Sequence, residues 1–331
     1  MKFAGIVATV AIGVAAILTP VLAMAADMVI TSEIAATHWK ARQMDELAAD
    51  ITKRTNGRIN AKVFHASTLY KDKDALAALS TGAVHMVWPA SNWLENVNQA
   101  CGIIGLPFGV KDSMMQNDEF RAGLTTMMSS LVEDKGLKVL GIARTSEGIF
   151  LSKSPIAAVT DMKGKKVRVP SGRVLQNLMT RYGGASPVTL ATTEIATAFV
   201  QGAIDMVYTS PGGWEMVGTT AKYATIVPGM NIITYAIVVD KNWLASLPQA
   251  DREAVLAATA DAMKKQWPEA MAEDISALEN MVGKGGISTR LSGKPVEEFE
   301  KLAEEVSAEF RKQHQDVAAK YDALKAKLAS R

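Results

Sequence analysis

Two segments of this chain, 120 residues apart, are similar to each other over fifteen positions. Residues 74–88 read DALAALSTGAVHMVW, and residues 194–208 read EIATAFVQGAIDMVY. Each has the apolar spacing of a helix up to a glycine, Gly82 or Gly202, followed by a short apolar run. Because glycine tolerates the left-handed conformation that ends many helices, each segment predicts a helix, a glycine cap and a strand. A chain that repeats this unit is expected to pack helices on sheets.

Each predicted strand of the repeat ends at an aromatic residue, Trp88 in the first copy and Tyr208 in the second. Ligands of open α/β sheets bind outside the carboxyl ends of the strands. We therefore expect both rings to face a ligand cleft, one from each half of the molecule. The alternative is a chance similarity, because a helix, a Gly-Ala pair and a strand form a common unit.

The first 25 residues have the pattern of a secretory signal peptide. Lys2 gives a positive end, residues 3–22 are almost wholly apolar, and the triplet Ala-Met-Ala at residues 23–25 fits a cleavage site. The apolar stretch is nearly long enough to span a bilayer, so an uncleaved anchor is the alternative. The small residues and the polar Asp27 favour cleavage after Ala25, which predicts a free protein in the periplasm.

The composition limits the partners and the number of lobes. The net charge of +2 for 331 residues gives no electrostatic footprint for nucleic acid. The only cysteine, Cys101, cannot form an internal disulfide, so packing must stabilise an exported chain. The 306 residues after the cleavage site are too many for one small core and suit two lobes. We expect a monomer that binds no nucleic acid.

Predicted strands and helices alternate up to about residue 240, and the remainder is nearly all helical. This order is typical of an α/β fold with mainly parallel sheets flanked by helices. We assign residues 26–144 to lobe I and residues 145–240 to lobe II. Residues 241–331 form a helical C-terminal region, with long helices expected to span and brace both lobes.

The sequence lacks the common motifs of catalysis and of metal binding. The four histidines are scattered, and there is no H-E-x-x-H, C-x-x-C, G-x-S-x-G, P-loop or G-x-G-x-x-G pattern. We therefore expect binding without chemistry, and neither a metal nor a cofactor. The alternative is an exported lyase or isomerase of small acids that uses Glu33 or Glu147 as its base.

One ten-residue segment is more informative about function than the composition is. Residues 161–170 read DMKGKKVRVP, residues 184–187 read GASP, and the run TEIATAFVQGAID follows at residues 193–205. Upstream, residues 55–59 read TNGRI and residues 106–108 read LPF. In this order and spacing, the motifs resemble those of the substrate-binding proteins of tripartite ATP-independent periplasmic (TRAP) transporters, the DctP-like family. The resemblance runs from about residue 30 to residue 241.

The resemblance implies a two-lobed periplasmic-binding-protein architecture. Such a protein closes around a small organic acid and delivers it to the small and large permease subunits in the membrane. In this family the arginine of the R-x-P segment usually makes a bidentate salt bridge with the ligand carboxylate, and Arg168 matches it. A planar guanidinium meets a carboxylate through two parallel charge-assisted hydrogen bonds. The alternative for Arg168 is an exposed strand-end arginine paired with a neighbour.

The chain departs from the family pattern at a second arginine. Many relatives carry it in a G-x-R-x-x-T-N segment about twenty residues earlier, a place that falls near Glu147 here. Arg144 could replace it, or could lie on a strand or in a surface pair. Without a second arginine a dicarboxylate becomes less expected. Glu33 or Glu147 beside aromatic rings would suit a cationic or apolar portion, which predicts a monocarboxylate or a zwitterion.

The candidate ligand-binding residues combine one arginine, two acids, three tryptophans, a tyrosine and three small polar residues. They are Arg168, Glu33, Glu147, Trp88, Trp93, Trp214, Tyr208, Thr209, Asn92 and Ser171. For Trp93 and Trp214 the alternative is packing between the lobes. A periplasmic ligand sensor and an ABC-type binding protein are the alternative functions.

Overall fold

The computed structural model describes residues 26–329, so the signal peptide assigned to residues 1–25 and its cleavage site lie outside the described residues. The strands in the described part are β1 Ala26–Thr31, β2 Ile59–Phe64, β3 Met86–Val87, β4 Leu137–Glu147, β5 Ile149–Ser152, β6 Lys166–Val169, β7 Ser186–Thr189, β8 Met206–Thr209, β9 Tyr223–Ile226, β10 Ile232–Asp240 and β11 Ile287–Arg290. The α-helices are α1 Trp39–Arg54, α2 Asp72–Ser80, α3 Asp112–Met115, α4 Asp118–Ser130, α5 Arg173–Arg181, α6 Ile195–Val200, α7 Pro211–Val217, α8 Lys241–Ser246, α9 Gln249–Gly283, α10 Lys294–Gln313 and α11 Gln315–Ala329.

The strands form two sheets, one in each lobe, flanked by helices. The first sheet has the order β2-β1-β3-β10-β4, and the second has the order β11-β9-β5-β8-β6-β7. Both sheets are mainly parallel, as the sequence predicts, and each contains one reversed strand: β10 runs antiparallel to β3 and β4, and β5 runs antiparallel to β8 and β9. The other neighbouring strands are parallel.

The repeated unit found in the sequence is a real structural repeat. Helix α2 leads through Gly82 into β3, and helix α6 leads through Gly202 into β8. Both glycines have φ of +72°, the left-handed conformation that the sequence predicts after each helix. Each following strand lies between one parallel and one antiparallel neighbour, β3 between β1 and β10, and β8 between β6 and β5. The two copies therefore occupy equivalent places in the two sheets.

Two extended segments carry the chain between the lobes. Strand β4 of the first sheet continues through the single residue Gly148 into β5 of the second sheet. Strand β9 of the second sheet leads through residues 227–231 into β10, which returns to the first sheet. The sequence assigns residues 145–240 to lobe II, whereas β10 pairs along β4 for its whole length and belongs to the first sheet.

The C-terminal helices contact both lobes. Helix α9 continues through Pro268, and it buries Val255 and Trp267 in the core of the first lobe and Met281 in that of the second. The guanidinium of Arg181 on α5 pairs with Glu305 on α10 at 2.8 Å. Helix α11 packs against α4, and β11 extends the edge of the second sheet. Within residues 26–329, no helix is both long enough and apolar enough to cross a membrane.

Candidate functional site

A cavity of about 40 Å³ lies between the lobes. On the same measure of volume, one water molecule needs roughly 10–15 Å³. It opens beyond the carboxyl ends of β1, β6 and β8, as expected for α/β sheets. Five of the ten residues singled out in the sequence line it, and they come from both lobes. These are Glu33, Trp93, Arg168, Tyr208 and Thr209.

Arg168 lies in β6 with only 4% of its surface exposed. Its Nε and Nη2 atoms donate to the carbonyl oxygen of Leu190 at 3.0 and 2.7 Å, and Nη1 donates to the carbonyl of Tyr208 at 3.4 Å. These three bonds fix the plane of the guanidinium, which has five N–H groups. Two N–H groups therefore remain for a ligand, and no carboxylate of the described residues forms an ion pair with Arg168. Burial lowers its pKa to about 10.

Glu33 follows β1 and is 2% exposed. Its Oε1 accepts from the backbone N–H of Asp72 at 2.7 Å, and its Oε2 accepts from the backbone N–H of Thr192 at 2.9 Å. The second bond crosses from lobe I to lobe II. Both carboxylate oxygens therefore hold the protein backbone, and the side chain organises the cavity wall.

A second buried acid, Asp72, lines the same cavity. Its Oδ2 accepts from the backbone N–H of Ala90 at 3.1 Å. Burial, and then the charge of Glu33, raise the pKa of Asp72 well above its ordinary value. Two acids in one enclosed site cannot both ionise without cost, so the charge of Glu33 opposes ionisation of Asp72.

The sequence reasoning missed a buried lysine in this cavity. Lys40, in the first turn of α1, has none of its surface exposed. Its ammonium donates to Thr145 Oγ1 at 3.0 Å and lies 3.1 Å from the ring centroid of Tyr235. Burial lowers the pKa of Lys40 well below its ordinary value, because the charged form loses its hydration. The cavity thus has a basic side chain on each lobe, Lys40 on lobe I and Arg168 on lobe II.

His38 caps helix α1 at the edge of this cavity. Its Nδ1 accepts from the backbone N–H of Lys40 at 3.1 Å, which places the ring proton on Nε2. Burial, and then the charge of Lys40, lower the pKa of His38 to about 3, so the ring is neutral. A Cβ on Gly212 would lie 2.6 Å from Nε2, so only glycine allows α7 of lobe II to approach the ring this closely.

The remaining five residues singled out in the sequence lie elsewhere. Trp88 is buried beside Leu47 of α1 and Met263 of α9, facing a groove of about 220 Å³ on the far side of the first sheet. Trp214 lies in the core of the second lobe, where its Nε1 donates to the carbonyl of Ala221 at 2.6 Å. Neither ring reaches the cavity, because each is enclosed by helix and strand side chains of its own lobe.

Asn92, Ser171 and Glu147 make contacts outside the cavity. Asn92 Nδ2 donates to the carbonyl of Ser171 at 2.5 Å, which joins the lobes beside the cavity. Glu147, before the crossover to β5, accepts from the backbone N–H of Gly229 at 3.0 Å and pairs with Arg290. Its contacts hold the two crossing segments together, so it faces no ligand space.

Arg144 is not a cavity residue in this structure. Its guanidinium is 4% exposed and pairs with Asp112 at 2.7 Å and Asp274 at 3.3 Å. Its backbone N–H and carbonyl both bond to the side-chain amide of Gln266 on α9, each at 2.7 Å. Arg144 therefore ties β4 to α3 and α9, and the cavity contains Lys40, not Arg144, beside Arg168.

The lobes touch each other around the cavity. Lys71, at the start of α2, pairs with Glu194, at the start of α6, at 2.7 Å. The two copies of the repeated unit thus face each other across the cleft. Glu95, on lobe I, accepts from the backbone N–H groups of Arg173 at 2.7 Å and Val174 at 3.2 Å, at the first turn of α5 on lobe II. Within residues 26–329, no cluster of acids, histidines and cysteines is arranged to hold a metal ion.

Comparison with known proteins agrees with this architecture. The curated C4-dicarboxylate-binding periplasmic protein DctP of Rhodobacter capsulatus is 29% identical over 248 residues, which are 74% of this chain and 73% of that protein. The Bordetella pertussis solute receptor DctP7, which binds pyroglutamic acid, superposes with a TM-score of 0.83 at 22% identity over 90% of this chain and all of that one.

A TRAP solute-binding protein of Sulfurospirillum deleyianum with bound succinate has a TM-score of 0.82 at 21% identity, over 90% of this chain and 98% of that one. The family model for bacterial extracellular solute-binding proteins of family 7, DctP, matches residues 30–313. This span is most of the chain and includes both lobes and most of the bracing helices. The chain therefore belongs to family 7 of the bacterial extracellular solute-binding proteins, the DctP family, whose members are solute receptors and not enzymes.

Proposed function

We propose that this protein is the periplasmic receptor of a TRAP transporter for a small organic acid, with Arg168 binding the ligand carboxylate. The observation that carries the proposal is the buried guanidinium of Arg168, which three backbone bonds hold in place and which keeps two N–H groups for a ligand. In a bidentate pair a carboxylate accepts hydrogen bonds from two N–H groups, so the two that remain on Arg168 are enough for one carboxylate.

The relatives give the class of ligand. The compared proteins bind C4-dicarboxylates, pyroglutamic acid and succinate, all of them carboxylic acids. The small cavity of this chain suits a compact acid. We propose a monocarboxylate, with or without an ammonium group, because the guanidinium of Arg144 is occupied by Asp112 and Asp274 and does not line the cavity.

Binding would close the lobes around the acid. Closure excludes water, and the lower dielectric strengthens the pair between Arg168 and the carboxylate. The closed surface is then what the small and large permease subunits recognise. This role requires the free protein in the periplasm, with cleavage after Ala25. Uptake of the acid by vesicles that contain the permease subunits separates transport from a sensing role.

A thermal-shift screen of residues 26–331 against small organic acids tests the proposal. A micromolar binder at millimolar concentration adds about 4 kcal/mol to the free energy of unfolding. Arg168→Ala should weaken the affinity for the best acid by at least about 2 kcal/mol, since it removes the charged partner of a buried carboxylate. Arg181→Ala, at an exposed arginine of lobe II that pairs with Glu305, is the matched control.

Two outcomes would contradict the proposal. If no carboxylic acid shifts the melting temperature, the protein is not a receptor for small acids. If Arg168→Ala retains the affinity of the unmodified protein, Arg168 is not the carboxylate partner. Calorimetric titration measures both affinities directly, and equal melting temperatures without ligand show that the variant is folded.

A further inference from the structure

A buried ammonium group faces the cavity with too few acceptors of its own. Lys40 has three N–H donors, and the described residues supply one hydrogen-bond acceptor, Thr145 Oγ1 at 3.0 Å. The face of the Tyr235 ring gives a second, weaker contact. No carboxylate of the described residues forms an ion pair with Lys40. A fully buried cation with so few partners is costly, so this position is not explained by stability.

The position of Lys40 is set by rigid elements. It lies in the first turn of α1, whose start is capped by His38. Thr145, its hydroxyl partner, lies in β4, and Tyr235 lies in the neighbouring strand β10. The ammonium is therefore held against the first sheet, and Arg168 faces the same cavity from the second sheet. A ligand that contacts both cations connects the two lobes.

The charged side chains of the cavity favour a ligand with one carboxylate over a ligand with two. The basic side chains are Lys40 and Arg168, and the acids are Glu33 and Asp72. Burial raises the pKa of Asp72 well above its ordinary value and lowers the pKa of Lys40 well below its own. The neighbouring His38 ring is neutral. A single ligand carboxylate can pair with Arg168, whereas a second carboxylate would lie in a closed cavity beside Glu33 without an arginine of its own, because Arg144 pairs with Asp112 and Asp274.

We propose that Lys40 donates a hydrogen bond to an uncharged oxygen of the ligand, so that the preferred ligands are monocarboxylates with a hydroxyl or carbonyl oxygen. This inference rests on the proposed function, and it adds a specificity residue on lobe I. Arg168 selects the carboxylate, and Lys40 selects the second oxygen. An acid without that oxygen leaves two buried N–H groups without acceptors, which is the kind of contact that discriminates strongly between analogues.

Matched pairs of acids test the role of Lys40. The pairs are 2-hydroxybutyrate with butyrate, and pyroglutamate with cyclopentanecarboxylate, and succinate is added as a dicarboxylate. The proteins are the mature chain, Lys40→Met, and Lys53→Met as the control at an exposed lysine of the same helix. Methionine fills a similar volume without a charge. Calorimetric titration gives each affinity, and thermal melting shows whether each variant is folded.

We expect the mature chain and Lys53→Met to prefer the oxygen-bearing acid of at least one pair by about 10- to 100-fold. Lys40→Met should reduce that preference to less than about 3-fold, through weaker binding of the oxygen-bearing acid. If Lys40→Met does not fold, Thr145→Val, which removes the hydroxyl partner of the ammonium, should reduce the same preference by several-fold.

Three results would overturn the inference. Lys40→Met could keep the full preference, the mature chain could bind both members of each pair equally, or succinate could bind more than about 10-fold tighter than every monocarboxylate. None of these results contradicts carboxylate binding by Arg168. If the mature chain binds no acid at all, the proposed function itself fails.

Discussion

The contact of Glu95 with helix α5 gives a prediction that can be worked out from the structure. Glu95 is 5% exposed, and its Oε2 accepts both backbone N–H groups at the start of that helix. Its Oε1 is buried without a hydrogen-bond partner. Burial outweighs the two hydrogen bonds and the charge of Arg173, and it raises the pKa of Glu95 from 4.5 to about 7. The ionised carboxylate therefore destabilises the contact between the lobes.

The raised pKa fixes the sign and size of a pH effect. Between pH 4.5 and 7 the folded chain holds a proton on Glu95 that the unfolded chain has released, so its contribution to stability falls as the pH rises. A shift of this size corresponds to about 3 kcal/mol, since each pKa unit is about 1.4 kcal/mol. The contribution is fully present below pH 4.5 and is lost above pH 7. Glu95→Gln cannot ionise, so it removes this pH dependence.

Urea denaturation of the mature chain and of Glu95→Gln between pH 4 and pH 8 measures the effect. The difference in free energy of unfolding should move in favour of the variant by about 3 kcal/mol across this range. The difference between the two free energies of unfolding cancels the contributions of the other titrating groups, which both proteins share. Glu304→Gln, at an exposed position, is the matched control. The reasoning is refuted if the difference between Glu95→Gln and the unmodified chain is the same at pH 4 and pH 8.

Two further predictions concern buried side chains away from the cavity. Arg144→Met leaves Asp112 and Asp274 without their cation and should lower the free energy of unfolding by about 3–5 kcal/mol, measured by urea denaturation, with ligand affinity unchanged. A stable variant that no longer binds ligand would place Arg144 in the site. Burial raises the pKa of Cys101 to about 12, so iodoacetamide should alkylate the folded protein only at the rate of unfolding. Mass spectrometry follows the reaction, and rapid modification at pH 8 would contradict the burial.

The repeated unit shows which structural features the sequence predicts well and which it does not predict. The glycine caps and the following strands were predictable because glycine has a local reason to end a helix. The direction in which the aromatic side chains of Trp88 and Tyr208 point was not predictable from the sequence. Tyr208 lies within β8 and faces the cavity, whereas Trp88 follows the two-residue strand β3 and packs beneath α1 and α9. Which face of a strand is covered by a distant helix depends on long-range packing.

Lys40 carried a sequence signal that the motif comparison did not use. In α1 the buried positions include Lys40, Met44, Leu47 and Ile51, which are spaced as one apolar face of a helix. A lysine on such a face is either paired or functional. Its partner Thr145 is 105 residues away, so sequence spacing could not show which. The family motif did place Arg168 at the cavity, but its backbone partners were visible only in the structure.

The return of β10 to the first sheet has a consequence for how this chain folds. Strands β3 and β4 do not touch each other, because β10 lies between them. A nascent chain that ends anywhere before residue 232 therefore lacks the middle of its first sheet and leaves the inner edges of β3 and β4 unpaired. The second sheet differs, because its strands β5 to β9 lie in one stretch, residues 149–226, and only its edge strand β11 comes later in the chain. The first sheet should therefore form late, once β10 is available, and the strands of the second sheet can pair before it.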